Sequence, residues 1–147
     1  MPARRKSRER ALQILYLWDA RKQPIPEATA AYFDIQYPEE SGPKPPADAF
    51  LDALVAGVVA HVEDLDRRIT QHADHWRMER MPSVDRNILR LAVYEMAHSQ
   101  THARIVIDEA LELARRFAGE ESVQFVNGVL DAVNRDLVRE KSMPGGL

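Results

Sequence analysis

Between Arg4 and Asp19 the chain reads RRKSRERALQILYLWD: five cations, Arg4, Arg5, Lys6, Arg8 and Arg10, fall within seven residues, and Tyr16 and Trp18 follow them. Clustered guanidinium and ammonium groups beside an aromatic ring suit contact with single-stranded nucleic acid. The cations neutralise phosphates and the ring stacks on an unpaired base. On a helix advancing 100° per residue, Leu12 and Tyr16 lie close to Arg5 in angular position and Arg8 about 60° away, so cations and ring share a face. Tyr16 as a plain rim residue of the core is the competing reading, and spacing alone leaves both open.

A second stretch, FVNGVLD from Phe125 to Asp131, raises the same question from the other end of the chain. Val126, Val129 and Leu130 fill core positions of a helix, while Phe125 lies on the flank and Asn127 and Gly128 leave a small polar notch beside it. Close helix packing and access for a partner are alternative reasons for Gly128. Among the histidines, His72 and His75 stand three apart and could share a metal with Asp64 or Asp74. The HExxH arrangement is absent, so surface histidines are the reading adopted, and His61, His98 and His102 stand isolated. No GxSxG, Gly-rich phosphate loop or dinucleotide fingerprint occurs.

The elements that must position these groups are helical. With 147 residues, 45% of them hydrophobic and 29% charged, the chain fits one domain with a sizeable core. It has no cysteine, which removes disulfides, thiol nucleophiles and Cys-based zinc sites. No apolar run approaches the roughly 18 residues of a membrane span, and the basic start lacks a following secretory segment, so a cytoplasmic place is expected. The net charge of −3 is uneven, with residues 1–10 near +4 and the remainder near −7. A basic end on an acidic body fits a local polyanion contact; a solubilising terminus is the alternative.

Apolar spacing predicts an opening helix from about Lys6 to Arg21 with a basic arm over 1–10, and a short helix near Glu27 to Phe33 within a proline-rich loop region over 22–46. It predicts a long core helix within Ala47 to Met81, containing Gly57, and then a central helix over about Val84 to Ser99 with Ser83 as its N-cap. A helix over Ile105 to Ala118 follows, with Glu112 placed to pair with Arg116, and then a last helix from about Glu120 with a flexible tail over 142–147. The expectation is an all-α helical bundle of six or seven helices in one continuous domain.

Four blocks, RRKSRERALQILYLWD, VDRNILRLAVYEM, VIDEALELARRF and EESVQFVNGVLD, occur in the order and approximate spacing of the NusB family of bacterial transcription antitermination factors, which the chain resembles. The resemblance covers most of the chain outside the proline-rich region and the tail. It implies an all-helical fold of two packed three-helix bundles, with no catalysis and no cofactor. It further implies binding of single-stranded boxA RNA in nascent ribosomal transcripts, tighter together with NusE, a small-subunit ribosomal protein. NusA, NusG and RNA polymerase would join that complex and resist premature, Rho-dependent termination. Carried over position by position, the RNA-contact candidates are Arg4, Arg5, Lys6, Arg8, Tyr16 and Phe125, with Asp85 and Arg90 as further candidates. Glu121 matches a position where an acid would limit affinity for a polyanion. The NusE surface is expected on the C-terminal part.

Two junctions depart from the family pattern: THAR, Thr101 to Arg104, lacks the expected proline, and FAGEES reverses the expected Gly and Ala order. They bear on loop geometry and leave the basic start, Tyr16 and Phe125 untouched. A homodimeric interaction scaffold whose RNA face is masked until NusE arrives is the alternative reading.

Overall fold

The computed structural model describes residues 2–74 and 77–142, with side chains from Arg4 onward at its beginning. Among these residues seven α-helices follow one another: α1 Pro2–Arg21, α2 Ile25–Gln36, α3 Ala49–Ala60, α4 Val62–Thr70, α5 Ser83–His98, α6 Ala103–Phe117 and α7 Glu120–Ser142. Among the described residues there is no strand, and no helix is long and apolar enough to cross a membrane. Helix α1 packs on α2 and α3, and α5, α6 and α7 pack on one another, giving the two three-helix bundles. Helix α4 lies against α5 and α7. Because α5 also meets α1 and α3, Ile88, Leu89, Leu91, Ala92, Val93 and Met96 are all buried, as the near-continuous apolar circumference of that helix requires.

Several boundaries differ from the sequence expectation. Helix α1 begins at Pro2, so the supposed arm is its first turns and its cations point in different directions. The short helix expected near Glu27 to Phe33 within the proline-rich region forms, and it is longer than expected, running over Ile25–Gln36. Pro24 is the N-cap of α2 and Pro26 falls in its first turn, where a missing amide hydrogen costs nothing, and Ala28 and Tyr32 fix the helix to the core. Ser83 does not cap α5; Pro82 occupies that position without a side-chain bond. The cap that does form is at α3, where Asp48 accepts from the Leu51 amide at 3.0 Å and from the Ser7 hydroxyl, tying the helix start to α1.

The expected long helix is broken at His61 (φ −112°, ψ 13°), whose amide is shared between the Gly57 and Val58 carbonyls. The apolar stripe continues through the break, with Leu54, Val55 and Val58 on one side and Leu65 and Ile69 on the other, so periodicity could not register it. The change of direction carries α4 across to α7, where Arg68 grips Glu140 through two bonds of 2.8 and 2.9 Å and His72 meets Asp136. Gly57 has a packing reason: a Cβ there would lie 2.1 Å from Cζ of Tyr94 on α5. Glu112 pairs with Arg115 rather than with Arg116, which reaches back to Glu9 on α1. The tail expected over 142–147 lies outside the described residues apart from Ser142, which ends α7.

Candidate nucleic-acid interface

Helical geometry separates the four α1 cations of the RNA-contact set. Arg4 is exposed and lies over the Phe50 ring, 4.6 Å from its centroid, with no carboxylate partner among the described residues. Arg5, its side chain 55% exposed, forks onto Glu109 of α6, Nε to Oε2 at 3.0 Å and Nη2 to Oε1 at 3.1 Å. Lys6 is exposed with Glu9 at 3.7 Å. Arg8 is buried and forks onto Glu95 of α5 at 2.8 and 2.9 Å. Arg5 and Arg8 are three positions apart, a rotation of about 60° around the helix, enough to turn one guanidinium outward and the other into the seam with α5.

Tyr16 is 41% exposed and stands on an apolar groove of about 190 Å³, with Leu12, Tyr32, Ile35, Val84 and Phe117 among its walls. Phe125 is half-buried and lines a second, more polar groove of about 450 Å³ with Gln71, His72, Asp74, Gln124 and Gly128. The first turn of α5 connects the two. Val84 lines the first groove, while the next residue, Asp85, accepts from the Ser122 hydroxyl at 2.8 and 3.0 Å, one turn before Phe125. Glu121, beside Ser122 in the first turn of α7, is exposed.

Asp85 and Arg90 are buried and engaged. Burial pushes the Asp85 carboxyl above its ordinary value, and the Ser122 bond opposes this only in part. Arg90 forks onto Asp66 at 2.7 and 2.8 Å, reaches Asp19 and Asn87 at 3.1 Å each, and lies 5.6 Å from the Trp18 ring. Asp19 also accepts from Arg86 at 2.6 Å and Asn87 at 3.0 Å. Burial would raise the Asp19 carboxyl, but the bonds from Arg86, Asn87 and Arg90 outweigh it and hold the group below its usual range. This network joins α1, α4 and α5, so Arg90, like Arg8, holds helices together.

Sequence reasoning did not find Ile35, Phe117 or Glu109 as parts of this surface. Ile35 is 63% exposed at the end of a helix that was expected to stop earlier, and Phe117 was read as part of the core stripe of α6. A contact between residues 104 apart, as in Arg5 and Glu109, leaves no trace in spacing. Elsewhere, the histidines that look isolated in sequence come together: His61 and His98 stack with ring centroids 4.3 Å apart beside Tyr94. Burial first and His61 second hold His98 below its ordinary value. No group of three or more metal-ligating side chains occurs among the described residues, and His75, the other half of the expected pair, lies outside them.

The architecture defines an all-helical protein of two packed three-helix bundles, carrying cations on its first helix and aromatic side chains in two neighbouring grooves. Residues 5–135 match the NusB family model, and the chain belongs to the NusB family. It is 60% identical over 147 residues to the transcription antitermination protein NusB of Solibacter usitatus (strain Ellin6076), covering 100% of this chain and 99% of that one. Among solved structures it resembles antitermination factor NusB in a crystal structure with NusE and double-stranded RNA, with TM-score 0.78 and 29% identity over 92% of this chain and 98% of that one. T. maritima NusB is also similar, with TM-score 0.74 and 28% identity over 90% and 91% of the two chains.

Proposed function

We propose that this protein is a transcription antitermination factor, without catalytic activity, that acts in the cytoplasm on nascent ribosomal RNA. It binds single-stranded boxA RNA together with NusE and, with NusA and NusG on RNA polymerase, counters Rho-dependent termination. The observation that carries the reading is the juxtaposition on α1 of the exposed cations Arg4, Arg5 and Lys6 with Tyr16, which is exposed on its groove. Backbone phosphates would meet the cations and an unpaired base would meet the Tyr16 ring, with Phe125 bordering the continuation of the strand. Glu121, exposed at the start of α7, would repel the strand and limit its affinity. Arg8, Asp85 and Arg90 support this surface from beneath by fixing α1, α5 and α7. The family relative solved with NusE and double-stranded RNA supports NusE and RNA as the two classes of partner.

The test is fluorescence anisotropy of a short single-stranded boxA-like RNA and a scrambled control across a salt series, with and without NusE. Preference for boxA that NusE strengthens is expected. Arg4→Ala should reduce the salt slope by about 0.7, and Tyr16→Ala should cost about 1–3 kcal/mol of binding. Equal affinity for both RNAs, with NusE present, would overturn the boxA preference, and binding of neither RNA would overturn the reading in favour of a protein-interaction scaffold, a homodimer being its simplest form.

A further inference from the structure

We infer that Glu109 is a built-in competitor of RNA: its carboxylate occupies the fork of Arg5 that a phosphate would take, so RNA must displace it. The inference rests on the RNA-binding reading and assigns the acid that restrains it. The two N–H groups that Arg5 directs at Glu109, at 3.0 and 3.1 Å, form the pattern with which a guanidinium grips two oxygens of a phosphate. One fork cannot hold both partners. Glu109 is recessed, with its side chain 15% exposed against 55% for Arg5, so the carboxylate draws the guanidinium down onto α6. Glu112 and Glu9 add to the negative field at Arg5, and its guanidinium is held more firmly charged than usual, first by the bond to Glu109 and then by its charge.

Arg4 supplies the contrast within the same turn. It rests on a neutral ring rather than a carboxylate, so a phosphate meets it without displacing an anion. At Arg5, by contrast, the freed Glu109 takes up a solution cation as the phosphate releases one, and the two changes partly cancel in the salt dependence. Arg5 therefore contributes less to the salt slope than Arg4 does, although both are exposed cations of α1. Glu109 thereby weakens binding at low ionic strength, where a cationic helix would otherwise hold any single strand, and leaves the discrimination to the groove contacts.

The experiment compares the full chain with Glu109→Gln, which keeps the shape and one acceptor but removes the charge, and with Glu140→Gln, whose partner is Arg68. The probes are labelled single-stranded boxA-like RNA, a scrambled strand and a heparin column, with thermal melts to establish folding. Glu109→Gln is expected to bind both strands about two- to fivefold tighter at low salt. Its salt slope should be steeper, and it should elute later from heparin, while Glu140→Gln stays near wild type. Adding Arg5→Ala should abolish the gain. Unchanged or weaker binding by Glu109→Gln would show that the acid orients Arg5 instead, and an equal gain from Glu140→Gln would reduce the effect to net charge; either overturns the inference. If the wild type fails to prefer boxA, the RNA reading falls separately, and the heparin shift of Glu109→Gln still decides whether Glu109 restrains Arg5.

Discussion

Arg8 of α1 and Glu95 of α5 form a buried two-bond ion pair, Nε to Oε1 at 2.8 Å and Nη2 to Oε2 at 2.9 Å, with side chains only 9% and 3% exposed. Removing one partner strands the other charge in an apolar seam. Arg8→Ala is therefore expected to cost about 3–5 kcal/mol of stability in urea unfolding, whereas replacing both residues by apolar ones of similar volume should recover most of it. Arg5→Ala, at a solvent-exposed pair, should leave the unfolding midpoint nearly unchanged. Equal destabilisation by the two alanine variants would contradict the separation of supporting and contacting cations drawn above.

Asp19 and Asp85 should give pH effects of opposite sign. Asp19 titrates below its ordinary value of 3.8 in the folded state, so its contribution is fully present above that value and is lost as the pH falls through the depressed one. Asp19→Asn should cost about 3 kcal/mol or more at neutral pH, leaving Arg86 and Arg90 without their shared carboxylate, and should flatten the acid limb of stability against pH. Asp85 titrates above 3.8 in the folded state, so it favours folding most at low pH, and that contribution is lost as the pH rises through the raised value. Asp85→Asn should therefore gain relative to wild type as pH rises from the acid range to neutrality, measured by the difference in melting temperature.

Two helical glycines should respond in opposite directions to alanine. At Gly57 the added methyl meets the Tyr94 ring, and overpacking of this kind costs about 1–3 kcal/mol. At Gly128 it meets no atom within 4 Å, so close packing does not explain that residue and the helix should gain about 0.5–1 kcal/mol. Calorimetric melts of both variants check this. Loss of RNA or NusE binding by a stabilised Gly128→Ala would mark the notch beside Phe125 as a contact surface.

Lys22, directly after α1, has a backbone φ of 57°, in the left-handed region where a side chain crowds the following carbonyl. Lys22→Gly removes that crowding and is expected to raise stability by up to about 1 kcal/mol, seen as a higher melting temperature with unchanged RNA affinity.

Much of this protein can be read from local pattern, because helices announce themselves through spacing. The apolar stripes of α5, α6 and α7 are intrinsic to those segments, and so are the cluster of cations at the chain start and the crowding of apolar residues on the central helix. Tertiary structure decided what depends on partners distant in sequence. Arg5 and Arg8 are the same residue type three positions apart, yet one is exposed and the other buried, because Arg8 meets Glu95 between α1 and α5 while Arg5 reaches Glu109 on α6 with its own side chain left to solvent. The break at His61 and the exposure of Ile35 were equally invisible, since an apolar stripe records which residues face inward but not where its helix bends or stops. A periodicity is a property of neighbours along the chain, whereas the availability of a charge for a ligand depends on which opposite charge the fold has already placed within reach.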